Sequence, residues 1–181
     1  SDAERVVREL RKILKEIEDT IRKSKKETKE MLDRNRELAR KVKEELKEIL
    51  RRLEKMKRDG KPDEEVEKLV REAKKRVEDV IEESRKHVEE VEKRNRDIND
   101  DTRRKLETVE RKLREVEKRL DDERLLRELR RIVEEVKRAV EELNRDDRRT
   151  LERVKREAKK IHEDLRRVVE KLERDVEEAR R

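Results

Sequence analysis

The chain has 181 residues, of which 62% are charged and 29% apolar, with no Phe, Trp, Tyr, Cys or Gln. The net charge of +7 comes from 60 basic and 53 acidic residues, interleaved as in Glu44-Glu45-Leu46-Lys47-Glu48 rather than gathered on one arm, which excludes a nucleic-acid interface built on clustered base and aromatic stacking. Lack of cysteine excludes disulfide and thiolate chemistry, no apolar run approaches the ~20 residues of a membrane span, and no signal peptide is expected.

Charge at this level means either disorder or long helices with a regular apolar period. The period is present throughout. The Ser1-Asp2 start, without Met, reads as a tag-cleavage remnant. The first predicted helix covers 2–59. Its stripe is Val6, Val7, Leu10, Ile13, Leu14, Ile17 and Ile21, then Met31, Leu38, Val42, Leu46, Ile49, Leu53 and Met56, at alternating spacings of 3 and 4. The break Arg58-Asp59-Gly60-Lys61-Pro62-Asp63 follows. Gly suits the left-handed position after a helix end, and Pro suits the first turn of the next helix.

The second helix is expected over 63–120, with Val66, Val70, Ala73, Val77, Val80, Val91, Ile98, Leu106, Val109, Leu113, Val116 and Leu120 on its stripe. The third is expected over 122–181, with Asp121 or Asp122 as N-cap. Its stripe runs from Leu126, Leu129 and Val133 through Val154 and Ile161 to Leu172 and Val176. Three helices of nearly equal length joined by tight loops must run up, down and up. Each would be about 87 Å long at 1.5 Å per residue. The stripe slides around the wheel as a straight helix slides against a heptad frame, so the helices should be nearly straight. The expected fold is all-α, a single helical-bundle domain over 1–181.

Antiparallel packing also fixes a register. Positions facing across the first loop should sum to about 121, and across the second to about 242. On that scale the polar residues of the stripe fall together. Thr20, Ser24 and Thr28 of the first helix lie level with Asn95, Asn99 and Thr102 of the second and Asn144, Asp147 and Thr150 of the third. A looser set is Asn35 with Ser84 and His87, and His162 beyond it. Such side chains can donate and accept across a core. Their cost is lost apolar burial, ~1.5–3 kcal/mol per side chain. Their use is register, because a slipped alignment would set polar groups against Leu and Val.

The two histidines should lie too far apart along the axis to share a metal, and no third ligand assists. No metal or cofactor site is expected. If buried and neutral, a histidine here should loosen the bundle in acid. Asp147 reads as a network acceptor rather than a catalytic acid. No phosphate loop, triad or zinc spacing occurs, so no catalytic residue and no enzyme activity are expected. Met31 and Met56 read as seam filler.

The restricted alphabet, matched helix lengths, Asp-Gly-Lys-Pro-Asp loop and aligned Ser, Thr, Asn and His give the chain a resemblance. It resembles de novo designed helical bundles with buried hydrogen-bond networks. The resemblance covers the whole chain and is one of style. It implies a structural scaffold without natural activity or natural partner, synthetic and soluble, cytoplasmic when expressed. Members of that class are monomers, homotrimers and heterodimers, so a self-associating bundle or a module awaiting a designed helical partner stays open. Some are built to exist in short and long forms. Asn99-Asp100-Asp101-Thr102 and Asn144-Arg145-Asp146-Asp147 are the segments where such a switch would hinge, being rich in residues that favour caps and turns. The uninterrupted apolar period favours continuous helices there.

Overall fold

A computed structural model of the chain describes residues 2–60 and 63–180, apart from the side chains at 2, 63, 179 and 180. Ser1, Lys61, Pro62 and Arg181, the last of these the expected end of the third helix, lie outside the described residues. The protein is all-α, a three-helix bundle of α1 (Asp2–Asp59), α2 (Asp63–Arg119) and α3 (Glu123–Arg180).

The helix ends follow from local chemistry. Gly60 stands at φ +67°, where a side chain would be strained, and it ends α1. At the other loop the expected ends at 120 and 122 each draw back by one residue. Leu120 still donates its N–H to the Val116 carbonyl at 2.8 Å. Asp122 is the N-cap: its carboxylate accepts the Leu125 N–H at 3.2 Å, and its carbonyl accepts the Leu126 N–H at 3.1 Å. Basic residues close α1 and α2 and Glu123 opens α3, each matched to the local end of the helix dipole.

Packing divides the chain into two compact units, and all three helices contribute to both. The first comprises Ser1–Lys29 and Val91–Leu151. Its core joins Leu10, Leu14 and Ile17 of α1 to Val109 and Val116 of α2 and Leu129, Val136 and Leu143 of α3. The second comprises Glu30–Glu90 and Glu152–Arg181. Its core joins Val42, Leu46 and Leu53 of α1 to Ala73, Val77 and Val80 of α2 and Leu165 and Leu172 of α3. No large apolar side chain is exposed among the described residues.

Ion pairs between helices show the register of each unit. In the first, Glu9 meets Lys112 at 2.6 Å, Glu16 meets Lys105 at 3.8 Å and Glu27 meets Arg94 at 3.1 Å. In the second, Glu45 meets Arg76 at 2.6 Å. The residue numbers of all these α1–α2 pairs sum to 121. The α1–α3 pair of the second unit, Arg36 with Glu157 at 2.9 Å, differs by the same 121. Between α2 and α3 the pairs Glu117–Arg130 and Lys74–Glu173 sum to 247 rather than 242, as long side chains reach diagonally along the groove. Apart from Arg94, the side chains of these pairs keep a quarter or more of their surface in solvent, so they report register more than they stabilise it.

Candidate functional site: a polar belt in the seam

The belt arises because polar side chains occupy positions that the 3/4 spacing assigns to the core. On α1 the buried positions run Leu14, Ile17, Ile21, Ser24, Thr28, Leu32, Asn35, Ala39 and Val42 without a gap. Two successive spacings of four, from Ser24 to Thr28 to Leu32, act as a stutter, a local unwinding of the heptad frame at the belt itself. Leu32 and Ala39 are therefore buried where Met31 and Leu38 were expected, and those two are half-buried. Val169 is likewise buried beside a half-buried Val168.

All the polar residues singled out from the sequence are buried or half-buried. Ser24, Thr28, Asn35, Ser84, Thr102 and Asp147 are buried. Thr20, His87, Asn95, Asn99, Asn144, Thr150 and His162 are half-buried. They divide between the units: Asn35, Ser84, His87 and His162 belong to the second, the others to the first.

Within the first unit the belt has two parts. Towards α1, Arg94 is the centre. Its Nη2 donates to the Ser24 carbonyl at 2.7 Å and to Thr28 Oγ1 at 3.3 Å. Its Nε lies 3.1 Å from Glu27 Oε2, a charge contact whose N–H is not aligned for a hydrogen bond. The Arg94 side chain is only 19% exposed. An arginine that turns its guanidinium onto a neighbouring helix can satisfy a main-chain carbonyl and a hydroxyl together, since it carries five donors in one plane. Arg94 is not legible in the sequence, because one Arg among so many resembles every other. The signal was its place between Val91 and Asn95, where a solvent-facing residue would sit further around the wheel.

Between α2 and α3 of the same unit, Asn95, Asn99, Asn144 and Asp147 line one groove, together with Glu92, Arg96, Arg148 and Leu151. Burial pushes the Asp147 carboxyl above its ordinary range, against the opposing pull of Arg94 and Lys25. Asp146 adds a smaller push in the same direction as burial.

Direct pairing does not join every member. Thr102 Oγ1 turns back onto its own helix, donating to the Ile98 or Asn99 carbonyl at 2.9 and 3.1 Å. That bond satisfies the hydroxyl inside α2, which stays unbroken at Asn99–Thr102, as α3 does at Asn144–Asp147. Ser24 Oγ and Asn95 Oδ1 are buried without a hydrogen-bond partner in the protein. In the second unit the same holds for His87 Nδ1 and His162 Nε2. Burial lowers the pKa of His162, and Arg166 and Arg85 lower it further. No group of three or more His, Cys, Asp or Glu able to hold a metal ion occurs among the described residues, and none of their helices is long and apolar enough to cross a membrane.

The three helices define a class, the long-helix three-helix bundle. No family model matches the chain, and no curated protein matches it. Among solved structures it is similar to one described as a computationally designed three helix bundle, at 18% identity and a TM-score of 0.44, over 98% of this chain and 88% of that one.

Proposed function

We propose that the chain is a designed structural scaffold, a monomeric helical bundle without natural biochemical activity, whose polar belt sets helix register. The chain is one domain in this reading, because each helix runs unbroken through both compact units. The observation that carries the reading is the coincidence of polar positions on three helices with one register. Ser24 and Thr28 accept from Arg94 across α1 and α2, while Asn95 and Asp147, whose numbers sum to 242, line one groove between α2 and α3. A bundle selected only for stability would fill these positions with Leu and Val. Polar groups placed there disfavour slipped alternatives, in which they would face the apolar cores.

A belt-free variant tests this. Thr28→Val, Asn95→Leu, Asn99→Leu, Asn144→Leu and Asp147→Leu together should raise stability and yield more than one species by size exclusion with light scattering. A single species of 22.4 kDa with unchanged inter-helix contacts would show that the belt does not select the register. The self-associating reading, a homotrimer or a module for a designed helical partner, needs an apolar face to cover. The absence of any exposed large hydrophobic among the described residues supports the monomer. The unmodified chain should run at 22.4 kDa, and three times that mass would favour the trimer.

A further inference from the structure

The groove between α2 and α3 in the first unit has a volume of about 230 Å3, several times the roughly 30 Å3 that a water molecule occupies in the liquid. Most of its lining residues are polar or charged, although much of the wall they present is aliphatic. Asn95 and Asn99 come from α2, and Asn144 and Asp147 from α3. Two buried acceptors belong to it, and Arg96 and Arg148 also line it. Asn95 Oδ1 is buried and unpartnered, and the Asp147 side chain belongs to a residue only 9% exposed. An occupant must donate hydrogen bonds to both and accept them from the Asn amide groups. It must also be small enough to sit between two packed helices.

We propose that this groove is a hydration site, in which ordered water hydrogen-bonds Asn95 Oδ1 and the Asp147 carboxylate and links α2 to α3. Water meets each requirement: it donates twice, accepts twice, and bridges groups too far apart for direct contact. A metal cation fits less well. Asp147 is the buried carboxylate of the groove, and Arg94 and Lys25 already place positive charge on it. An apolar ligand would leave both acceptors unmatched. The belt is then half direct and half wet: Arg94 joins α1 to α2, and solvent joins α2 to α3.

The test is water–protein cross-relaxation on the 15N-labelled chain. Water held in the groove gives NOE and ROE peaks of opposite sign at the side-chain amide protons of Asn95, Asn99 and Asn144. Asn35, buried in the second unit and not among the residues that line the groove, gives none. Absence of such peaks at all three groove amides, or equal peaks at Asn35, overturns the proposal. In Asn95→Leu the peaks at Asn99 and Asn144 should weaken at least severalfold; if they persist at full strength, water is not organised by Asn95 Oδ1. The unmodified chain alone already decides between ordered and passing water, so a poorly folded variant does not blunt the test.

Discussion

Single side chains in this protein pull in different directions. Ser24 is 1% exposed and its hydroxyl has no partner, while its carbonyl holds Arg94. A buried hydroxyl left without a partner costs about 1–3 kcal/mol, so Ser24→Ala should stabilise the fold by about 1 kcal/mol in urea unfolding. A loss of stability would mean that the hydroxyl is paired in solution. The ionisable groups carry opposite signs with pH. His162 has a folded pKa below its unfolded value near 6.5. Its contribution is therefore complete above that value and is lost as pH falls from there through the folded pKa. His162→Gln should flatten the stability profile across that window, and identical profiles for the two proteins would remove the histidine from the account. Asp147 has a folded pKa above its ordinary value, so its charged form is penalised at neutral pH. Asp147→Asn should stabilise the protein at pH 7, with the gain vanishing as pH falls through the folded value towards the ordinary one near 3.9.

At the scale of the helix, spacing and caps decide where the chain turns and what it buries. Gly60, Asp122 and the 3/4 series were legible in the sequence because each has one dominant physical cause. The middle of α1 was less legible. An apolar-only stripe leaps from Ile21 to Met31 and Leu38, which are half-buried, Leu38 packing against the second core, and it passes over their fully buried neighbours. Counting Ser24, Thr28 and Asn35 as core positions leads directly to Leu32 and Ala39, which are 6% and 7% exposed. The polar residues are thus the missing links of the periodicity rather than interruptions in it. Partners were harder still, because hydrogen-bond geometry depends on rotamers that spacing does not specify. Thr102 satisfies itself within α2, and Arg94 supplies the donors that α1 needed. The cap offers a simple check at this scale: Asp122→Ala should cost about 1 kcal/mol and fray the first turn of α3 in amide exchange. Unchanged protection at Leu125 and Leu126 would contradict the cap.

For the molecule as a whole, the central claim is a single register for α1 and α2, visible in each compact unit as pairs whose numbers sum to 121. Two of those pairs are carboxylate–lysine contacts, Glu9 with Lys112 and Glu16 with Lys105, and so can be joined by a zero-length carbodiimide cross-link without altering the sequence. Peptide mapping of a mixture of 15N-labelled and unlabelled chains then reads both register and stoichiometry. The account predicts Glu9–Lys112 and Glu16–Lys105 links formed within one chain. Links between Glu9 and Lys105, one heptad slipped, or mixed-isotope links as abundant as pure ones, would contradict it.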